Sequence, residues 1–267
     1  MSTAAALRSE IEAALADRTP SALTPAAKTI REVMPTGIVA VDALLDGGLP
    51  VGAVTEMIGA ECSGRTALAL SFLAQVTRAE RVCAWIDVSD ALSPESAAAA
   101  DIELRRLLWI RCGARPTAIF KRNSSSTRAT KPWSRIEQAL RATDLLLQAG
   151  GFSAIVLDLG SVAPEHVLRI PLATWFRYRA AAERSRTSVL LLTQHTCSKS
   201  SASLVLHLQA GLPLSGETTV LAGLERHVEV SRQRFTEATA KVVPFRKPPQ
   251  PATGADWQSK TIWAGIR

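Results

Sequence analysis

The feature that most constrains this chain is a loop bounded by glycines, which lies between an apolar run and a helical run. Residues 59–66, GAECSGRT, directly follow a predicted strand at 53–58 and lead into a predicted helix at 66–77. Glycines let successive backbone N–H groups curl around an anion, and the helix adds the positive end of its dipole. The loop therefore predicts a phosphate site made by Gly59, Ala60, Glu61, Cys62, Ser63, Gly64, Arg65 and Thr66.

One residue separates this loop from the pattern G-x4-G-K-[ST] that binds nucleotide phosphates. Arg65 stands in the place of the lysine, and its guanidinium is larger and planar, so it delivers its charge differently from a compact ammonium. The hydroxyl of Thr66 is expected to hold Mg²⁺. Two outcomes stay open: the loop binds ATP and Mg²⁺ in an altered geometry, or the pocket is vestigial.

Around the loop, short β-branched runs alternate with runs of helical periodicity. Strands are predicted at 53–58, 82–88, 107–111, 154–159 and 188–193, and helices at 66–77, 93–101, 136–149 and 172–184. This alternation is typical of an α/β fold, with a mostly parallel twisted sheet covered by helices on both faces. Farther along, runs at 203–208, 218–224 and 227–232 predict an antiparallel β-meander added to the sheet edge.

A second acidic element follows the loop in the chain. The apolar run at 152–158 ends in Asp158, at the predicted carboxyl end of a strand. A carboxylate there suits a Walker B residue, which holds Mg²⁺ through water. Such an aspartate can also be a helix cap or a loop residue, but the phosphate loop in the same chain favours the metal role. Asp158 and Thr66 are therefore the predicted Mg²⁺ ligands.

The charge balance points to a polyanionic partner. The chain carries 31 Lys+Arg against 24 Asp+Glu, a net charge of +7, and the basic residues concentrate within 105–141 and 177–186. Such density can neutralise several phosphates, although charged stretches are often only solvated faces. The residues predicted to contact DNA are Arg105, Arg106, Lys121, Arg122, Arg128, Lys131, Arg177 and Arg179.

The composition excludes a mainly disordered chain, because 47% of the residues are hydrophobic. Cys62, Cys83, Cys112 and Cys197 lie far apart and form no C-x-x-C pair, which argues against a zinc site or a disulfide framework. Such spacing favours a reducing compartment, so we expect a cytoplasmic protein without a signal peptide or a membrane span.

Three regions are predicted along the chain. Residues 1–33 form a helical segment and linker, residues 34–242 form the core, and residues 243–267 form a proline-rich tail with Trp257 and Trp263. The tail suits a flexible segment that docks a partner. The alternative, that it folds back onto its own core, stays equally open.

Five motifs in the correct order resemble the RecA recombinase family. They lie at 36–52, 59–66, 85–94, 190–194 and 228–234. The resemblance implies a RecA-like core that binds ATP, Mg²⁺ and single-stranded DNA and that associates with further copies of itself. It also implies the following positions: Ser89, with neighbouring Asp90, at the catalytic glutamate, Gln194 as the γ-phosphate sensor, and Arg232 and Arg234 reaching the nucleotide of a neighbouring subunit.

Departures from RecA predict weak or absent ATP hydrolysis. A serine at position 89 cannot activate water, and Asp90 could substitute only after a shift of register. Arg65 replaces the lysine of the loop. Short connections, including 196–202, stand where RecA has two DNA-binding loops, which argues against a strand-exchange filament.

With the segments at 133–141 and 170–183, this pattern resembles the ImuA family. That resemblance implies a DNA-repair accessory protein of the SOS and translesion-synthesis type, which binds an error-prone polymerase-like partner largely through its tail. The alternative is a functional ATP-dependent recombinase or DNA-dependent ATPase of the RecA family.

Overall fold

Aliphatic runs build the strands of a central sheet, and the amphipathic runs between them build its helices. The computed structural model describes residues 32–113, 132–214, 223–233 and 254–260, which all belong to one compact unit. The strands are β1 (Val33–Met34), β2 (Leu49–Pro50), β3 (Val54–Ile58), β4 (Cys83–Asp87), β5 (Leu107–Arg111), β6 (Ala154–Asp158), β7 (Ser188–Thr193), β8 (Leu204–Leu214), β9 (Gly223–Gln233) and β10 (Gly254–Lys260). The α-helices are α1 (Val39–Leu44), α2 (Arg65–Arg78), α3 (Pro94–Ala99), α4 (Pro132–Ala149), α5 (Pro164–Val167) and α6 (Leu172–Ser185).

The large sheet has the strand order β10-β9-β8-β3-β7-β6-β4-β5. Its strands from β8 to β5 run parallel, whereas β9 and β10 pair antiparallel at one edge. The short strands β1 and β2 form a separate antiparallel pair. Because parallel strands have their carboxyl ends at one side of the sheet, the loops after β3, β4, β6 and β7 come together there.

Side-chain alternation along the strands separates two core layers. In β6, Ala154 and Val156 pack in the layer that contains Leu68 of α2. Ile155 and Leu157 point the other way, into the layer with residues of α4 and α6. Helices therefore cover both faces of the sheet, and the predicted α/β class is confirmed. None of the helices in the described ranges has the length and hydropathy that a membrane span needs.

The central strands and the antiparallel meander at the sheet edge confirm the prediction, but the predicted bounds of the meander's strands are wrong. The bounds of β5 and β7 equal the predicted 107–111 and 188–193. Instead of two strands separated by a turn at 225–226, β9 continues through Gly223–Gln233, while residues 218–222 lie outside the described ranges. The polar pair Glu225 and Arg226 resembles a turn in the sequence, but both residues pair within the antiparallel sheet.

The third antiparallel strand comes from the predicted tail. Residues Gly254–Lys260 pair with β9 in register, and Trp257 is only 7% exposed within the core layer of α2. For this stretch a flexible tail is wrong, because burial of one large indole favours the folded-back arrangement. Residues 243–253 and 261–267 lie outside the described ranges, as do residues 1–31 of the predicted amino-terminal segment.

Candidate functional site

The loop 59–66 has the backbone that a phosphate loop needs. It leaves β3 at the carboxyl edge of the sheet, and α2 begins at Arg65 with Gly64 as its N-cap at φ 96°. Gly59 also has to be glycine, because a Cβ there would lie 2.4 Å from Ser63 Oγ and 2.5 Å from the Leu208 carbonyl oxygen. The predicted succession of strand, glycine-bounded loop and helix is therefore present in the structure.

Two polar atoms at this loop are buried without a partner. Within the described residues, Ser63 Oγ and Arg65 Nη1 find no hydrogen-bonding group, although Ser63 is 1% and Arg65 8% exposed. A buried polar group without a partner costs about 1–3 kcal/mol. Ser63 Oγ belongs to a loop at a helix N-terminus, which is suited to an anionic ligand, whereas the Arg65 guanidinium extends to Gly160.

Arg65 reaches away from its own loop toward the end of β6. Its Nη2 donates to the Gly160 carbonyl oxygen at 3.3 Å. Burial lowers the pKa of Arg65, against the opposing attraction of Asp158 and Glu61. The guanidinium therefore lies between the phosphate loop and the acidic end of β6, which differs from a point charge seated in the loop.

Asp158 ends β6 beside this guanidinium. Its Oδ1 accepts the N–H of Gly160 at 2.9 Å. Burial raises the pKa of Asp158 to about 6, and the Asp87 carboxylate, its register partner on β4, adds to the rise. A half-buried carboxylate at the end of a strand is suited to Mg²⁺, but its joint role with the exposed Thr66 stays a prediction.

Replacing Asp158 with asparagine should stabilise the protein above pH 6. In the folded chain this carboxyl group holds its proton up to about pH 6, whereas an unfolded aspartate releases it near pH ~3.9. The folded state therefore loses relative stability as the pH rises between these values. Asparagine keeps the acceptor for Gly160 but carries no charge. We expect Asp158→Asn to raise the free energy of unfolding by about 2 kcal/mol near pH ~8 and by little near pH ~4.

Urea denaturation at the two pH values measures this difference. The exposed Asp101, whose side chain is 79% accessible, gives a control variant, Asp101→Asn, that should show no such pH dependence. An equal gain for Asp158→Asn at both pH values would contradict an electrostatic cause.

The predicted catalytic region offers no free carboxylate. Asp90 forms a bidentate ion pair with Arg111, at 2.5 and 2.6 Å, and this hydrogen bonding holds the pKa of Asp90 below its usual value. Asp87 accepts the backbone N–H groups of Ala91 and Leu92 at 3.0 and 2.9 Å. That Asp90 replaces the missing glutamate stays a prediction, and this role would require its ion pair with Arg111 to open.

Gln194, which follows β7, points at the same group as Arg65. Its Nε2 donates to the Gly160 carbonyl oxygen at 2.9 Å. The structure thus brings Arg65, Asp158 and Gln194 together around Gly160, although they lie far apart in the sequence, at the start of α2, the end of β6 and the residue after β7. Sequence reasoning found the three side chains but missed Gly160, whose only signal is its position two residues after Asp158.

Arg232 is engaged within its own chain, and its predicted contact with the nucleotide of a neighbouring subunit stays a prediction. Its Nη2 donates to the carbonyl oxygens of Lys199 and Ala202. A β-bulge at position 231 turns Arg232 to the face opposite α2, because Val205 pairs with Arg232 and Leu206 with Val230. Arg234 lies outside the described residues.

Glu56 also binds the connection between β7 and β8, and the sequence analysis did not identify this residue. This fully buried carboxylate on β3 accepts the N–H of Cys197 at 2.7 Å and that of Ser198 at 3.1 Å. Its second oxygen accepts the Ser198 hydroxyl at 2.5 Å. The sequence signal for Glu56 is a single acidic residue inside a buried strand. Together with Arg232, Glu56 fixes the backbone at 197–202.

Of the residues predicted to bind DNA, two of the four that the structure describes form ion pairs within the chain. Arg106 pairs with Glu103 at 2.8 Å, and Arg177 pairs with Asp144 at 2.6 Å. Arg105 is exposed and has no ion pair within the described ranges, and Arg179 is half-buried. Arg105 and Arg106 precede β5, so they lie at the sheet edge opposite the phosphate loop. Lys121, Arg122, Arg128 and Lys131 lie outside the described residues.

The parallel sheet with a glycine-bounded loop between β3 and α2 defines an α/β fold of the phosphate-loop type. The crystal structure of the RadB recombinase has the same fold: it matches with a TM-score of 0.56 and 18% identity, over 85% of this chain and 96% of RadB. The family model described as the RecA N-terminal domain matches residues 3–115.

Sequence relatives agree with that assignment. Protein RecA of Tropheryma whipplei is 35% identical over 137 residues, which are 51% of this chain and 26% of that protein. Protein RecA of Crocosphaera subtropica is 42% identical over 86 residues, 32% of this chain and 25% of that protein. The chain thus spans about a quarter of the length of these RecA proteins. These similarities relate part of this chain to the RecA proteins.

Proposed function

We propose that this chain is a RecA-like DNA-repair protein that binds a nucleoside triphosphate but hydrolyses it very slowly. The observation that carries the proposal is the convergence of Arg65 and Gln194 on the Gly160 carbonyl beside Asp158. Phosphate-binding and sensing side chains meet at one point, whereas the carboxylate that would activate water is missing. The site therefore has residues for nucleotide binding but lacks a residue for hydrolysis.

Nucleotide binding rests on the loop 59–66. Its backbone and the N-terminus of α2 can receive the phosphates, and the buried Ser63 Oγ and Arg65 Nη1 gain partners when an anion enters. Thr66 and Asp158 would hold Mg²⁺, which neutralises charge on the phosphates. Because a deprotonated carboxylate is required, Mg²⁺ binding should weaken below about pH 6.

Slow hydrolysis follows from the state of the two carboxylates near Ser89. Asp90 is neutralised by Arg111, and Asp87 is occupied by two backbone N–H groups. Loss of a general base typically lowers a rate by about 10²–10⁴-fold. Bound nucleotide would then regulate the self-association of the protein instead of supplying energy through hydrolysis.

The partners proposed for this protein are single-stranded DNA, further copies of the chain and an error-prone polymerase-like protein. Similarity to RecA and the net charge of +7 support DNA and self-association. An accessory role in SOS-type translesion synthesis rests on the ImuA resemblance and on the slow turnover argued above. All four cysteines are free thiols, which fits a cytoplasmic location.

The test is a single-turnover ATP hydrolysis assay with and without single-stranded DNA, beside equilibrium binding of ATP and of a labelled oligonucleotide. We expect binding of both ligands and no DNA-stimulated turnover. Binding of ATP only after Arg65→Lys would instead show a vestigial pocket. DNA-stimulated turnover that Asp158→Ala abolishes would support the alternative, an ATP-dependent recombinase or DNA-dependent ATPase.

A gain-of-function variant sharpens this test. Ser89→Glu combined with Arg65→Lys restores the two side-chain types that the RecA resemblance lacks. If their loss is what limits turnover, this double variant should hydrolyse ATP at least about 10-fold faster than the wild type. Asp90→Glu is the matched control, since its longer carboxylate still meets Arg111.

A further inference from the structure

Arg226 is a charged residue in a row of β9 that otherwise faces the core. Along this strand, Arg226, Val228 and Val230 pair with alternate residues of β8 and point toward the layer of α2. Val228 is fully buried, and Arg226 is only 7% exposed. An arginine at a position where the alternation along β9 favours an apolar side chain is an exception to that pattern. Such exceptions are often functional residues.

This side chain lies against the phosphate loop. A Cβ at Gly64 would lie 2.9 Å from Arg226 Cδ and 3.1 Å from Arg226 Nε. It would also lie 3.2 Å from Cζ2 of Trp257, the residue directly opposite Arg226 in the β9–β10 register. Both side chains therefore touch the N-cap of α2, and Gly64 lacks the side chain that would exclude them.

The charge of Arg226 is poorly placed unless an anion is present. Within the described part of the chain, Arg226 Nε is buried and has no hydrogen-bond acceptor. A helix N-terminus carries a partial positive charge that disfavours a neighbouring cation. Nothing in the apolar row beside it, formed by Val228 and Val230, compensates this charge. A bound anion at Gly64 would remove the conflict.

We propose that Arg226 is the cation that contacts a polyphosphate in the loop 59–66, held against Gly64 by Trp257. The inference rests on the proposed nucleotide binding and assigns it a ligand from the same chain. Arg65 is directed to Gly160, and the bulge at 231 turns Arg232 to the other face, so Arg226 is the arginine of β9 on the loop's side. Its ligand is the phosphate chain, not the base.

Three variants of the full chain test this role. Arg226→Met keeps the length of the side chain and suits the apolar row, Arg226→Lys keeps the charge, and Arg81→Met, at an exposed arginine between α2 and β4, is the control. Binding is measured with ATP·Mg²⁺ and with inorganic triphosphate, by melting temperature and by the reaction rate of the Cys62 thiol. Cys62 is exposed in the loop while Cys83, Cys112 and Cys197 are buried, so the native chain reports on one thiol.

We expect both ligands to slow the reaction of Cys62 in the wild type. In Arg226→Met, both affinities should fall by about 10- to 100-fold, and the melting temperature without ligand should rise by about 2–4 °C. Arg226→Lys should retain part of the affinity, and Arg81→Met should change neither quantity. A residue with a merely structural role predicts the opposite sign for the melting temperature.

The possible failures are distinguishable. Wild-type affinity in Arg226→Met, with weak binding in Arg65→Met, would overturn the role of Arg226 and leave nucleotide binding in place. A lower melting temperature with unchanged affinity would make Arg226 a structural residue. If neither ATP·Mg²⁺ nor triphosphate protects Cys62 or shifts melting in the wild type, both this inference and the proposed nucleotide binding are wrong.

Discussion

Replacing Trp257 with alanine should lower the free energy of unfolding by about 3–5 kcal/mol. The indole is 7% exposed, packs in the layer that includes Val41 and Leu45, and touches Gly64 of the phosphate loop. Its loss removes the buried apolar area and leaves a cavity beside α2. Trp257→Phe, which refills most of the space, should cost far less. Urea denaturation measures both, with the 72% exposed Leu212→Ala as the control.

The same reasoning applies to removal of residues 243–267. Because β10 pairs with β9 over Gly254–Lys260, its deletion exposes the edge of β9 as well as the pocket of Trp257. We expect the truncated chain to melt at a much lower temperature and to aggregate. A truncated chain with an unchanged unfolding midpoint would return this segment to the role of a dispensable docking tail.

The central sheet was predictable because its information is local. The β-branched strands at 107–111 and 188–193 have the predicted bounds, and the glycines of the loop 59–66 fix its conformation. The strand β10 was not predictable, since its partner β9 lies beyond the proline-rich stretch 243–253. Nothing in the local pattern around Trp257 shows which face of which strand would bury it.

The candidate site also has residues that local sequence patterns predict and residues that they do not. Arg65 and Asp158 follow from a motif, because their spacing to glycines and to an apolar run is local. The contacts of Glu56 join residues 141 and 142 positions apart, and the Arg65–Gly160 contact joins residues 95 positions apart. From sequence alone, Glu56 and Arg226 are visible only as charges inside apolar alternation, a signal that marks a special position without naming its partner.

The second large effect is expected at Glu56. Glu56→Ala should lower the free energy of unfolding by about 3–5 kcal/mol, since it leaves buried donors without an acceptor. These donors are the N–H groups of Cys197 and Ser198 and the Ser198 hydroxyl, all of which are buried. The lost hydrogen bonds outweigh any relief from removing a buried charge, because the backbone donors cannot turn toward water.

Glu56→Gln is the control that keeps the size of the side chain and its acceptor oxygen but removes the negative charge. Its amide oxygen can still accept both backbone N–H groups, and its NH₂ can donate to the Ser198 hydroxyl, which rotates to accept. We therefore expect it to lose about 1–2 kcal/mol at most, with hydrogen exchange at Cys197 and Ser198 protected as in the wild type. In Glu56→Ala those two amides should exchange faster than the surrounding strands. Equal loss in both variants would contradict the hydrogen-bonding role, because glutamine keeps the oxygen that accepts both backbone N–H groups, whereas alanine removes it.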